Sequence, residues 1–295
     1  MITILGAGGV IANEAVKLLS ARKQPFRLVA RRARVVPAAT EMISADLSGK
    51  DQTIRAVAGS SVVHLLVGLK YDHKLWSEMW PRIMANTIEA CKHAHAKLIF
   101  FDNVYMYGKA SGAKTEETQF NPCGKKGEVR AKIATSLINE CKAGVLIAMI
   151  ARAADFYGPE KPNGLSNDSV PHSCTYKPDA ARSLVTLSES ESAWNQTWHV
   201  ATTTNPPTGK EFIAMAAKEL DVALRYRVLS RPMVRLIGWF NPLVGEVYEM
   251  LYQNYAPYVF DSSKFARAFS FSGTPYAQGI RATAASFQKV APSTK

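Results

Sequence analysis

Three groups of residues in this chain are spaced so that they could do chemistry. The first is Gly6-Ala7-Gly8-Gly9-Val10-Ile11-Ala12, directly behind a short apolar run at residues 2–5. A loop of this kind between a strand and a helix turns main-chain N–H groups, and the positive end of the helix dipole, toward a pyrophosphate. Gly6 allows the tight turn, Gly9 lets the backbone approach the phosphates, and Ala12 is small enough for close helix–strand packing. Gly8, Val10 and Ile11 complete the cradle. The second group is Arg31-Arg32, behind the apolar run at 27–30. Readers of NAD place a carboxylate at the end of the second strand for the ribose 2′-OH. Here no acidic residue follows that run until Glu41. Two guanidiniums suit the oxygens of a 2′-phosphate, so NADP is the expected cofactor and NAD the alternative. The third group is Glu128 and Lys132, one helical turn apart. They serve equally as a carboxylate base beside a cation or as an ordinary i,i+4 ion pair.

The elements that must hold these groups alternate in type. Apolar runs at 2–5, 27–30, 42–45, 62–67, 97–101 and 145–150 read as buried strands. Amphipathic stretches at 10–23, 51–58, 83–94 and 127–141 read as helices, with Pro81 suited to the first turn of the third. Alternation of this kind predicts an α/β fold: a Rossmann-type, doubly wound parallel sheet with helices on both faces and its ligand site along one rim. After Gly158-Pro159 the pattern changes. Residues 159–164 read as a loop, followed by a helix near 177–188, a strand near 197–200 and a helix near 209–220. The aromatic and proline-rich stretch 239–260 reads as an irregular cap. The expected division is a dinucleotide-binding domain at 1–158 and a smaller, interleaved substrate-binding domain at 159–295, some of whose segments return to the sheet.

Composition narrows the function classes. Hydrophobic residues are 47% and charged residues 20% of the 295, as in ordinary globular chains. No apolar run approaches a membrane span, and the N-terminus lacks the features of a signal peptide, so a cytoplasmic protein with no membrane partner is expected. Cys91, Cys123, Cys141 and Cys174 form no CxxC pair, and His93-x-His95 lacks a third ligand nearby; neither a zinc site nor any other metal site is expected. A net charge of +12 favours an anionic partner. The basic residues are scattered, the densest cluster being Arg31-Arg32-Ala33-Arg34, and no nucleic-acid motif accompanies them, so nucleic acid is not the expected partner. His64 reads as a core histidine on the fourth strand. The stretch 248–258 reads either as a substrate lid or as core packing.

Several segments resemble the extended short-chain dehydrogenase/reductases, the NAD-dependent epimerase/dehydratase family. They are the glycine loop, Ala45-Asp46-Leu47, Asn86, Asn103-Val104-Tyr105-Met106-Tyr107-Gly108, Arg152-Ala153-Ala154-Asp155-Phe156-Tyr157-Gly158-Pro159, Tyr176-Lys177-Pro178-Asp179-Ala180-Ala181 and Asp261-Ser262-Ser263-Lys264. Their order spans nearly the whole chain. The resemblance implies that Asp46 and Leu47 contact adenine, that Val67 and Gly68 line the cofactor, and that a small molecule is the substrate. It also implies a homodimer through the helices near 83–94 and 127–141.

The family's chemistry uses a Ser or Thr, a Tyr as acid/base, and a Lys four residues after the Tyr that holds the nicotinamide ribose. The literal Tyr105-x-x-x-Lys109 contains Gly108 and falls in a loop, not on one helical face. By spacing, Lys132 takes the lysine position, Glu128 the tyrosine position and Asn103 the serine position. Three readings follow: Glu128 as a carboxylate base, Tyr105 or Tyr107 as a substitute acid/base, or cofactor binding without turnover. The expected function is an NAD(P)-dependent oxidoreductase or epimerase acting on a sugar-like or small alcohol or ketone. The alternative is an NADP-binding sensor or scaffold.

Overall fold

The computed structural model describes residues 1–32, 36–159 and 169–288. Ala33 and Arg34 of the basic cluster, and residues 160–164 of the expected loop, lie outside them. Strand β1 (Ile2–Leu5) is buried at every position, as its unbroken apolar run requires in a sheet covered on both faces. Helix α1 (Val10–Ala21) turns Ile11, Ala12, Ala15 and Leu19 inward. There follow β2 (Phe26–Ala30), β3 (Glu41–Ser44), α2 (Lys50–Val57), β4 (Val62–Leu65), α3 (His73–Ala94), β5 (Lys97–Asp102), α4 (Lys125–Lys142) and β6 (Ala148–Arg152). Farther on come β7 (Asp155–Tyr157), β8 (Cys174–Tyr176), α5 (Lys177–Glu189), β9 (Thr197–His199), α6 (Gly209–Glu219), α7 (Arg231–Phe240), α8 (Pro242–Tyr248), α9 (Ser263–Phe269) and α10 (Tyr276–Gln288).

The main sheet has the order β3-β2-β1-β4-β5-β6-β9. Strand β1 pairs in parallel with β2 on one side and β4 on the other. From β1 the chain builds outward through β2 and β3, then crosses back and builds the other way from β4. The strand order reverses between β1 and β4, and a crevice opens there beyond the carboxyl ends.

Three elements depart from expectation. Pro81 does not open its helix: α3 begins at His73, and Pro81 lies within it. The true start is Asp72, whose carboxylate accepts from the N–H groups of Lys74 and Leu75, a cap that supplies partners to first-turn donors. The sixth strand begins at Ala148, after Val145 and the exposed Ile147. A shorter β4, ending at Leu65, leaves Val67 and Gly68 in the loop at the rim.

The described chain divides into two compact units. One comprises the described residues within 1–106, 125–152 and 181–198, with the main sheet at its centre; the other comprises those within 107–124, 153–180 and 199–288. Residues 107–124 therefore enter the second unit well before position 158. Within that unit β7 and β8 form a parallel pair, and Tyr157, Cys174, Tyr276 and Ile280 form a buried cluster. The stretch 239–260 contains α8 and a short 3-10 turn, so it is more regular than an irregular cap.

Candidate active site

Beyond β1 lies a cleft of about 690 Å³, lined by the glycine loop, Val29 to Arg32, Ala45 to Leu47, Val67 to Leu69, Met79 and Ile83. Gly6 has a φ of +104°, and a Cβ placed there would lie 2.7 Å from the N of Val67. Only glycine lets the loop pass this close to the end of β4. The N–H groups of Gly6 and Ala7 both donate to the Val29 carbonyl, at 3.0 Å each, tying the loop to β2. Gly9 is the N-cap of α1, and no side chain caps that helix. Val10 and Ile11 contribute first-turn N–H groups, which no intrahelical carbonyl can satisfy, while the Ile11 side chain packs in the core. A Cβ on Gly9 would meet no protein atom closer than 3.5 Å. A Cβ on Gly8 would meet no protein atom within 4 Å, so the loop is open there, and it fits a nucleotide diphosphate.

The far wall of the cleft is polar. Arg31 and Arg32 are exposed along it. Asp46 accepts from the N–H and the hydroxyl of Ser48, at 2.9 and 2.8 Å. These bonds, with smaller help from Arg31 and Arg82, hold its carboxyl below the usual range. Asn86, on α3, donates to the Leu47 carbonyl at 2.9 Å and fixes this loop. Glu41, the first carboxylate after β2, sits at the opposite end of β3. Its carboxylate pairs with Arg27 at 2.7 Å.

A second cluster stands where β5 and β6 end against α4. Asp102 is buried between Arg130, with Nη1 at 3.3 Å, and Arg152, with Nε at 3.8 Å. Burial pushes the Asp102 carboxyl up, while both guanidiniums pull it down. Burial likewise pushes the Arg130 guanidinium below its ordinary range, opposed by Asp102 and by the nearby Tyr105 phenol. Arg130 is enclosed by aromatic rings, its Cζ lying 4.9 Å from the centre of Trp76 and 4.0 Å from that of Trp80. One turn earlier on the same face, the fully buried Lys126 places its Nζ 4.5 Å from the centre of the Tyr71 ring. Two side-chain-to-main-chain bonds lead out of β5. Asp102 Oδ1 accepts from the Asn103 N–H, and Asn103 Oδ1 accepts from the Tyr105 N–H. The Tyr105 ring then stacks on Trp76, at 6.3 Å and 12°.

These positions sort the expected site residues. Asn103 and Tyr105 stand at the rim beside the cationic cluster. Glu128 and Lys132 do not: both are exposed, whereas Lys126, Val129, Arg130, Ile133 and Leu137 are the inward-facing positions of α4. Two residues along a helix is a rotation of about 200°, so alignment by spacing chose the wrong face. Tyr107 is also corrected. It is fully buried in the second unit, with its hydroxyl 2.7 Å from His199 Nε2 and its ring against Phe120, and so is committed to packing. Asp102, Lys126 and Arg130 were missed, although Val129, Ile133 and Leu137 recur at helical spacing and mark the face that Lys126 and Arg130 share.

The family model described as NAD dependent epimerase/dehydratase family matches residues 2–188. No curated protein matches in sequence. Among solved structures, a UDP-glucose 4-epimerase from Thermus thermophilus, in complex with NAD, is similar at a TM-score of 0.78 and 17% identity, covering 97% of this chain and 98% of that one. A UDP-N-acetylglucosamine 4-epimerase from Bacillus cereus is similar at 0.74 and 15% identity, with the same coverages of 97% and 98%. A double mutant of a dTDP-glucose 4,6-dehydratase from Streptomyces venezuelae, with NAD bound, is similar at 0.78 and 13%, covering 98% and 97%. At these identities the likeness is one of fold. The match to the family model extends over more than half of the chain, from the glycine loop through β6 to α5, and on it this chain belongs to the NAD dependent epimerase/dehydratase family.

Proposed function

We propose that this protein is a cytoplasmic NADP(H)-dependent oxidoreductase or epimerase acting on a sugar-like or small alcohol or ketone. The observation that carries the reading is the glycine-walled cleft at the reversal of strand order, with Arg31 and Arg32 on its rim and Glu41 held elsewhere by Arg27. The loop N–H groups of residues 6–11 hold the pyrophosphate. Arg31 and Arg32 hold the 2′-phosphate, and Asp46 and Leu47 border the adenine. Val67 and Gly68 line the path between the halves of the dinucleotide. When bound, the cofactor would supply hydride chemistry at a carbinol carbon of the substrate.

The chain's own residues handle the proton. Tyr105 is the acid/base at the substrate oxygen, in place of the family's helical tyrosine. Asn103 donates to the same oxygen through its Nδ2, since its Oδ1 is already committed to the Tyr105 N–H. Arg130 and Lys126 supply the positive charge that stabilises a developing oxyanion. Asp102 positions Arg130. A homodimer through α3 and α4 would use the exposed face of α4 that carries Glu128 and Lys132.

A second reading, an NADP(H)-binding sensor without turnover, is favoured by one observation: Lys126 and Arg130 are sealed among aromatic rings. Stopped-flow loss of NADPH absorbance against a panel of ketones and nucleotide sugars separates the two. Turnover with any member supports the enzyme. Tight cofactor binding without turnover across the panel supports the sensor.

A further inference from the structure

Helix α7 turns its apolar stripe toward solvent. Met233, Leu236, Ile237 and Phe240 follow the i, i+3, i+4, i+7 spacing of a single helical face, which ordinarily meets a core. Here they are 50%, 56%, 38% and 83% exposed. Trp239 is 75% exposed, and Leu243, at the start of α8, 58%. The opposite side of α7 is the packed one. Val234 is buried there, and a Cβ on Gly238 would lie 3.0 Å from the Gly245 Cα of α8. The two helices thus form a tight hairpin. Its turn is set by Asn241, whose Oδ1 accepts from the N–H groups of Leu243 and Val244. Trp239, Phe240 and Leu243 crowd the tip. The preceding stretch adds exposed Val222, Leu224, Val228 and Leu229. Single exposed apolar residues are ordinary on a protein surface, but a contiguous patch marks a contact site.

Charge decides what covers the patch. Between Asp221 and Glu246 there is no acidic residue, but there are four arginines: Arg225, Arg227, Arg231 and Arg235. Arg235 stands one turn before Trp239, and Arg231 donates from Nε to the Tyr248 hydroxyl at 3.1 Å. The acidic Glu246 and Glu249 lie toward the end of α8 far from the turn. A second copy of the chain docked on this patch by two-fold symmetry would bring like arginines together, at a cost in repulsion. An anionic lipid surface has the opposite sign. It also accepts apolar side chains just beneath its headgroups and tryptophan at headgroup level. We propose that the α7–α8 hairpin docks this protein on anionic membrane surfaces. Leu236 and Phe240 enter the acyl boundary, Trp239 lies among the headgroups, and the arginines supply through-space attraction to the anionic surface. Such docking needs no crossing, and among the described residues no helix is long and apolar enough to cross a membrane.

The test is co-sedimentation of the full chain with vesicles of phosphatidylglycerol and phosphatidylcholine in equal parts, beside vesicles of phosphatidylcholine alone. Binding to the anionic vesicles should exceed binding to the neutral ones by about tenfold or more and should weaken with added salt. Leu236→Asp with Phe240→Asp should reduce it by about 100-fold. Arg227→Gln with Arg235→Gln, which leaves the apolar stripe intact, should reduce it by about tenfold. Circular dichroism should show both variants folded as the parent is. Failure of the parent to sediment with anionic vesicles would overturn the proposal, as would undiminished binding by both variants. A concentration-dependent dimer in sedimentation velocity, abolished by Leu236→Asp with Phe240→Asp in a chain that ignores vesicles, would assign the patch to self-association instead.

Discussion

Tyr105, Tyr107 and Glu128 are three candidates for one job, and single substitutions tell them apart. Tyr105→Phe should lower kcat by about 100-fold or more, the usual weight of a lost acid/base, with the cofactor Kd unchanged. Tyr107→Phe should leave kcat within about twofold and lower stability by about 1 kcal/mol through loss of the buried bond to His199. Glu128→Gln should change neither, since its side chain faces solvent. Equal loss of kcat in the Tyr107 variant would move the chemistry away from Tyr105. His64 supplies a pH test. It is completely buried on β4, and burial alone pushes its pKa down to about 3. An unfolded histidine takes up a proton below about pH 6.5, while the folded one stays neutral, so the unfolded chain binds more protons in that window. Stability therefore falls as pH drops from about 6.5 toward 3, by about 1.4 kcal/mol per unit from this residue. Urea midpoints between pH 6.5 and 5 should depend less on pH in His64→Leu than in the parent; equal slopes would contradict this. The place of His64 was legible in sequence because it sits inside the run Val62-Val63-His64-Leu65. The burial of Tyr107 was not, because its partner His199, itself bonded to the Asp261 carbonyl, is distant along the chain and only the fold brings them together.

At the scale of elements, local sequence reports what is local. The first strand, the glycine loop and the start of α1 were legible because the signal and its consequence lie within a dozen residues. The start of α3 was misread because Pro81 drew attention from the stronger signal, a capping aspartate nine residues earlier. Asp72→Ala should cost about 1 kcal/mol, read as a lower urea midpoint with unchanged slope, if the Asp72 carboxylate caps the helix as its two bonds indicate. Gly6→Ala should cost about 1 kcal/mol or more and weaken cofactor binding, because the positive φ and the approach of Val67 leave no room for a methyl group. In α4 the expected pair, Glu128 and Lys132, faces solvent, and two cations, Lys126 and Arg130, face inward. Lys126 and Arg130 interrupt an inward stripe, and a charged residue on such a stripe reads as surface unless its aromatic neighbours are known. Those neighbours, Tyr71, Trp76 and Trp80, come from the β4–α3 loop and from α3.

For the molecule as a whole, the sheet carried the most recognisable pattern and the second unit the least. Apolar runs that alternate with amphipathic helical stretches predict a parallel sheet. The second unit is gathered from three stretches, and two isolated bridges in it join Lys114 to Phe260 and His172 to Tyr258, over separations that no window of sequence spans. Membership in the epimerase/dehydratase family leaves the cofactor's 2′ substituent to be decided by the residues at the end of β2. Direct titration of the purified chain with NADPH and NADH by calorimetry, in parallel with the Arg31→Ala, Arg32→Ala double variant, tests that centre of the account. NADPH should bind more tightly than NADH by about tenfold or more, and the double variant should erase the difference while leaving NADH binding nearly intact. Tighter binding of NADH by the parent, or no binding of either dinucleotide, would contradict it.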